Sequence, residues 1–205
     1  ILRVIDDVTN DRQVKSIINS LNENQVKSKN WLLDKSKDYL SLLNNPKICI
    51  AAGWYGHLAN KLEKYKDQKI VSFDKDPMTK KIGKKLYPDI WFKVEDIKEF
   101  SFKKFDVVIC TSCEHLEQKL LDSMLDRVKP GALVILQSNN YFEIEDHINC
   151  QKSLDDFNKS IKLYTKLYTG ILKLDKYDRY MIIGTKKTKG DSLIEQLKKW
   201  KYLKI

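Results

Sequence analysis

A chain of 205 residues with 42% hydrophobic side chains can bury a core without disulfide staples, and no run in it is long or apolar enough to cross a bilayer. Its 38 basic and 28 acidic side chains leave a formal charge of +10, which favours polyanions. Lysine nevertheless outnumbers arginine heavily, and arginine is the better bidentate reader of phosphate and bases. These features argue against a disulfide-built secreted scaffold and a membrane-spanning protein. Residues 1–10 lack the basic start and apolar centre of a signal peptide, so a soluble cytoplasmic protein is expected.

Asp11 is placed to cap a short helix carrying Val14, Ile17, Ile18 and Leu21 on one face. The pattern returns with Leu32, Tyr39, Leu40 and Leu43 in a helix over about Ser28 to Leu43, which Asn44-Asn45-Pro46 stops. This helical preface, residues 1–45, either covers the substrate side of the domain after it or simply packs on that domain. From 46 to 188 strands and helices alternate, as in one Rossmann-like domain. Lys47 to Ala52 is a short apolar strand buried on both faces, and it runs into Gly53-Trp54-Tyr55-Gly56. Glycines there let the backbone turn sharply and approach a ligand closely, before a helix from about His57 to Tyr65 presents its unpaired N–H groups. Asp74 ends the next strand about twenty residues on, where a carboxylate can accept hydrogen bonds from both hydroxyls of a ribose.

Asp76-Pro77 opens a helix through Leu86, ended by Tyr87-Pro88. A third strand, Ile90 to Val94, leads to Glu95-Asp96, and a fourth, Asp106 to Cys110, feeds Thr111-Ser112-Cys113-Glu114-His115. Leu116, Leu120, Leu121, Met124, Leu125 and Val128 then recur at helical spacing, a core stripe with no cofactor meaning. Lys129-Pro130-Gly131 turns into a fifth strand, Ala132 to Leu136, which ends in Gln137-Ser138-Asn139-Asn140-Tyr141. After a polar stretch, Ser153 begins a helix with Asp156 in the capping-box position. Two strands follow with no helix between them, about Lys162 to Leu172 and Arg179 to Thr185, which reads as an antiparallel hairpin closing the sheet. Residues 189–205 form a basic helical tail with Leu193, Leu197 and Trp200 on one side.

The four cysteines are expected to be reduced. Cys110-x-x-Cys113 is one pair without a second, too little for a zinc site, and Cys49 and Cys110 read as small core residues on neighbouring strands. Cys113 is a nucleophile only if its thiolate is stabilised.

Five strand and helix units followed by a hairpin, with acidic residues after the second and third strands, resemble the class I S-adenosylmethionine (SAM) dependent methyltransferases over about Pro46 to Thr185. The resemblance implies an α/β fold with a single doubly wound, mostly parallel seven-stranded sheet, an antiparallel terminal hairpin, and SAM lying across the tips of the first four strands. By position it implies that Gly53, Trp54 and Gly56 surround the methionine moiety and that Asp74 holds the ribose. Asp96 with Ile97 would hold the adenine, and Thr111 and Ser112 would line the methyl-donor pocket. One departure stands out. The family loop reads as an acid followed by G-x-G-x-G, whereas Ala51-Ala52-Gly53-Trp54-Tyr55-Gly56 has no acid at its start and one fewer glycine. The chain is also similar to compact methyltransferase-like proteins carried by phages, which share its Ser-Cys-Glu-His and Gln-Ser-Asn-Asn-Tyr segments.

Methyl transfer is a displacement at a sulfonium, so the protein has to align the nucleophile and, where that carries a proton, provide a base. Glu114-His115, just past the fourth strand, resembles the pair found there in several small-molecule methyltransferases and in RNA 3'-end methyltransferases that bind a divalent metal. The latter have a further glutamate three residues earlier, where this chain has Thr111, so no metal site is expected. His115 is read as the general base or hydrogen-bond partner of the acceptor, with Glu114 beside it, and the rival reading is that the pair caps a helix. Asn140 and Tyr141, with Asn139, leave the fifth strand on the ligand edge and are read as orienting a polar acceptor. His147 either approaches from the following loop or faces solvent, and His57 is read as a helix-opening residue. The expected activity is SAM-dependent methylation of an O or N atom on a small or medium polar substrate. Its rivals are RNA or DNA methylation, favoured by the basic balance and tail, and a non-catalytic binding or scaffold module, permitted by the altered glycine loop. No membrane partner is expected, and oligomeric state is not legible.

Overall fold

A computed structural model describes residues 11–62 and 70–186. The expected basic tail and residues 63–65 of the helix expected after the glycine loop lie outside the described residues. Helices α1 (Asp11–Asn19) and α2 (Glu23–Ser41) precede β1 (Ile48–Ala51), α3 (His57–Lys61), β2 (Val71–Asp74), α4 (Pro77–Leu86), β3 (Trp91–Val94) and β4 (Val107–Cys110). A single 3-10 turn, Cys113–His115, leads to α5 (Gln118–Arg127), β5 (Leu133–Asn139), α6 (Leu154–Ser160), β6 (Thr165–Lys173) and β7 (Asp178–Thr185). Among the described residues the strands form one seven-stranded sheet in the order β3-β2-β1-β4-β5-β7-β6. The first five pair in parallel, and β7 runs antiparallel to both β5 and β6, so the sheet is the mostly parallel one with a terminal hairpin that the alternation predicts.

Period-two alternation in the central strands feeds two cores, one on each face of the sheet. Cys49, Ala51, Val108, Cys110, Val134, Leu136 and Ile182 meet Leu121, Met124 and Leu125 of α5, Phe157 of α6, and Phe100, Phe102 and Phe105. Ile48, Ile50, Val107, Ile109, Leu133, Ile135 and Ile183 meet Leu32 and Leu40 of α2, with Leu58 and Ala59 of α3. Each large apolar side chain so buried contributes about 1.5–3 kcal/mol, which makes α2 of the preface an integral layer. Among the described residues no helix is long and apolar enough to cross a membrane.

Two boundaries that differ from the sequence reading bear on the site. Helix α2 starts at Glu23, well before Ser28, because the Asn22 side chain accepts the Gln25 N–H at 2.9 Å and caps it. Strand β5 continues through Gln137, Ser138 and Asn139, since β7 pairs with it as far as Asn139 opposite Arg179. The buried Gln137 amide is satisfied by α2: Ser28 Oγ donates to its Oε1 at 3.0 Å, and its Nε2 donates to the Ser28 carbonyl at 3.3 Å. The Asp76 cap with Pro77 forms as expected, and Ser153 caps its helix by accepting the Asp156 N–H at 3.1 Å, while the Asp156 carboxylate accepts the Ser153 hydroxyl at 2.8 Å. The chain reverses its order across the sheet between β1 and β4, and the tips of these strands are where open α/β sheets bind ligands.

Candidate active site at the strand tips

The loop after β1 makes its turn without the missing glycine. Ala52 and Trp54 take left-handed φ values of +49° and +50°, which costs about 1–2 kcal/mol for each side chain. At Gly53 a Cβ would lie 2.1 Å from the buried Ser72 Oγ, so any larger residue requires that side chain to move. Its N–H donates to the Phe73 carbonyl at 3.0 Å, tying the loop to β2. Gly56 caps α3 with φ +84°, and a Cβ on it would strike the Phe92 ring at 2.4 Å.

Beside this loop opens a cavity of about 860 Å³, within the range of small-ligand sites. Of the expected cofactor residues, Gly53, Trp54, Asp74, Asp96, Ile97, Thr111 and Ser112 line it. Gly56 is not on the wall: it is packed against Phe92, and its part is to turn the chain into α3. The Trp54 indole stacks on Tyr55 with centroids 5.6 Å apart and packs against the buried cluster of Ile17, Tyr55 and Ile82.

Asp74 stands at the tip of β2 with its carboxylate fixed from both sides. Its Oδ2 accepts the Trp54 N–H at 3.3 Å and its Oδ1 accepts the Asp76 N–H at 3.1 Å. Burial raises its pKa, and these backbone hydrogen bonds partly offset the rise. A carboxylate offers about four acceptor positions, so these bonds leave acceptor capacity for a ligand. Asp96 is exposed and turns its own loop by accepting the Lys98 N–H at 2.8 Å, while Ile97 sinks into the core beside it.

Lys29 enters the same cavity from α2, and sequence reasoning missed it. It is buried, its Nζ donates to Gln25 Oε1 at 2.7 Å, and no carboxylate pairs with it among the described residues. Burial, followed by the positive charges of Arg179 and Lys61, lowers its pKa to about 7. Its signal was present as an i, i+4 step from Gln25 on the inward face of α2, but lysines are too numerous here for one to stand out.

The far wall is built differently. Glu114 and His115 sit in the 3-10 turn and not at a helix start; α5 begins only at Gln118. The Glu114 side chain is 4% exposed and pairs through Oε1 with Arg179 Nη1 at 2.9 Å, the guanidinium being equally buried. Arg179 Nη2 also donates to the Thr111 carbonyl, so β7 clamps the loop after β4. Sequence reasoning sees in Arg179 only the start of a strand, although one of four arginines in a lysine-rich chain, opening the run Tyr180-Met181-Ile182-Ile183, is a usable signal. Glu114 Oε2 is buried without a hydrogen-bond partner.

His115 and His147 meet edge to face with ring centroids 4.6 Å apart, and both line the cavity. The Asn149 N–H donates to the Glu114 carbonyl at 2.9 Å, holding the His147 loop against the 3-10 turn. Asn140 and Tyr141, read as orienting the acceptor, are not among the residues that line the cavity. Asn140 Oδ1 accepts the Asp178 N–H at 2.7 Å, and Tyr141 stacks on Tyr177 at 5.0 Å. Alternation along β5 sends Asn139 inward instead, and it lines the wall. Leu116 and Leu120, expected as pure core, line it too.

Two other candidates are structural. His57 is buried between Ser20 Oγ at 2.7 Å and Tyr87 Oη at 2.6 Å, and burial lowers its pKa to about 4. Ser20 donates its own proton to the Ile17 carbonyl, so His57 donates from Nε2 and accepts the Tyr87 hydroxyl at Nδ1. Cys113 is fully buried, and burial pushes its thiol pKa up, which removes it as a nucleophile.

No family model and no curated protein matches the chain. Among solved structures it is similar to the N-methyltransferase NodS from Bradyrhizobium japonicum in complex with S-adenosylhomocysteine, with TM-score 0.65 and 16% identity over 91% of this chain and 98% of that one. It is also similar to magnesium protoporphyrin IX methyltransferase from Synechocystis with bound SAM, with TM-score 0.63 and 14% identity over 90% and 88% of the two chains. The PH0226 protein from Pyrococcus horikoshii gives TM-score 0.62 and 18% identity over 81% and 93%. With the strand order, the terminal hairpin and the cavity at the switch point, these likenesses establish that the chain has the fold of the class I SAM-dependent methyltransferases.

Proposed function

We propose that the chain is a SAM-dependent methyltransferase acting on an O or N atom of a small or medium polar acceptor. The observation that carries the reading is Asp74, whose carboxylate faces the cavity from the tip of β2, is hydrogen-bonded to the glycine loop, and keeps acceptor capacity for two ribose hydroxyls. Two similar folds were solved with SAM or its demethylated product bound, which supports the choice of cofactor.

In this reading Ile97 and Asp96 hold the adenine, Gly53 and Trp54 flank the methionine part, and Lys29 faces its carboxylate. A buried ammonium with no anionic partner supports that last assignment, and it supplies from α2 a contact that the loop, lacking its initial acid, does not make. SAM, when bound, supplies a methyl group on a sulfonium. The chain's part is to align the acceptor with that methyl group, keep water out and relieve the acceptor of its proton. Thr111 and Ser112 line the donor side, while His115, His147 and Asn139 line the side from which an acceptor approaches. The Glu114–Arg179 pair fixes the floor between them.

Calorimetric titration with S-adenosylhomocysteine tests the reading. One site with micromolar affinity is expected, and absence of heat together with failure of SAM to protect the protein against thermal unfolding would overturn it.

A further inference from the structure

The acceptor side of the cavity holds a concentration of lone pairs. Glu114, His115 and His147 each bring one ligand-capable atom to within 4.8 Å of the others. His115 Nδ1 lies 3.0 Å from the Asp146 carbonyl oxygen, and His147 Nδ1 lies 2.8 Å from that of Tyr141. A carbonyl oxygen only accepts, so both Nδ1 atoms carry the proton and each neutral ring keeps its Nε2 lone pair. Metal-binding histidines are oriented in this way, with the second ring nitrogen held by a backbone carbonyl or carboxylate. The third member is Glu114, whose Oε1 is taken by Arg179 while Oε2 is buried with no partner. Three acceptors therefore converge with no donor among them, at a point where an unsatisfied buried carboxylate oxygen is costly.

We propose that Glu114 Oε2, His115 and His147 bind one divalent transition-metal ion, and that the methyl acceptor completes its coordination from the cavity. Two imidazoles and a carboxylate are a donor set for zinc, cobalt, iron or manganese, and three protein ligands leave the ion open to a further one. Donors about 2.1 Å from one ion stand at most about 4.2 Å apart, so ligand atoms that now lie within 4.8 Å of one another have to draw together slightly to share it. Arg179 holds the far carboxylate oxygen and fixes the direction of Oε2. Bound to the ion, an acceptor hydroxyl would give its proton to water more readily, and its oxygen would then bond to the methyl carbon as the carbon–sulfur bond of the sulfonium breaks to leave the neutral thioether; His115 would act through the metal and not as the base itself. Ion binding rests on these three side chains alone; only the role given to the ion rests on the methyl-transfer reading.

The test uses the full chain stripped with EDTA and titrated with cobalt(II) chloride alone, followed by calorimetry and visible absorption. One equivalent is expected to bind, with ligand-field bands showing nitrogen coordination. His147→Ala and His115→Ala should each weaken binding by ~tenfold or more while unfolding as cooperatively as the parent. Glu114→Gln is the poorer variant, because it strips Arg179 of its counter-ion. Absence of stoichiometric cobalt binding, or affinity unchanged in both histidine variants, overturns the site. S-adenosylhomocysteine, titrated in parallel, separates the two readings. Cobalt bound without it upholds the ion site and removes the methyl-transfer reading, whereas the reverse removes the ion site and returns His115 to the role of base.

Discussion

The two walls of the cavity are made by opposite means. On the side read as the cofactor's, all the contacts but Lys29 of α2 come from the end of a strand and the few residues after it: the glycine loop after β1, Asp74 at the end of β2, and Asp96 and Ile97 after β3. On the side read as the acceptor's the parts come from Glu114, His147 and Arg179, which are far apart in the chain: β7, lying next to β5, brings Arg179 to the loop after β4, and the Asn149 N–H on the Glu114 carbonyl brings the His147 loop. The difference separates binding from stability. Changes on the cofactor wall should remove ligand affinity from a chain that still folds, whereas changes at the acceptor floor should unfold it.

The largest effect expected is at the floor. Glu114→Gln leaves the Arg179 guanidinium buried without a counter-charge, and should cost about 3–5 kcal/mol in chemical denaturation. The double change Glu114→Leu with Arg179→Met should recover most of that loss, because it removes both charges together; if it does not, the pair is more than a structural clamp. On the opposite wall Asp74→Ala should weaken S-adenosylhomocysteine binding by about a hundredfold in calorimetry with little change in unfolding, since two hydroxyls lose a charged acceptor. A large drop in stability there would erase the contrast between the walls.

Lys29→Met sharpens the cofactor side further. It should weaken S-adenosylhomocysteine ~tenfold and leave 5'-methylthioadenosine, which has no carboxylate, unchanged. The pH dependence has a definite sign. Burial holds Lys29 at about 7 in the folded chain against 10.5 as its ordinary value, so between these values the unfolded chain binds the extra proton. The stability penalty is therefore full below pH 7 and is relieved as the pH rises toward 10.5. Lys29→Met should be the more stable protein at neutral pH. Binding of the carboxylate-bearing ligand needs the charged ammonium, so it should weaken as the pH climbs above about 7, an effect that the variant lacks. The smallest effect is at Ala52, where Ala52→Gly relieves a left-handed φ of +49° and should raise stability by up to ~1 kcal/mol.

The same contrast explains what can be read from the residues alone. The architecture is legible because strand and helix periods alternate cleanly from β1 to β5, and because two strands in succession at the end demand a hairpin. On the cofactor wall Asp74 can be located by its spacing from Gly53-Trp54-Tyr55-Gly56, a relation internal to one β-α-β unit. Asn140 and Tyr141 miss the cavity because β5 runs three residues past Leu136, which changes which amide faces inward. Arg179 and Lys29 carry no local pattern that distinguishes a residue aimed into a cavity from one on a solvated face. Their roles depend on α2 crossing one face of the sheet and on β7 pairing with β5.

The most direct test of the central claim is a crystal structure with S-adenosylhomocysteine soaked in. Both ribose hydroxyls are expected on the Asp74 carboxylate, with the adenine beside Ile97 and the amino-acid end toward Lys29. A nucleoside bound with Asp74 free of the sugar, or an empty cavity with the Trp54 indole filling the ribose position, would contradict it.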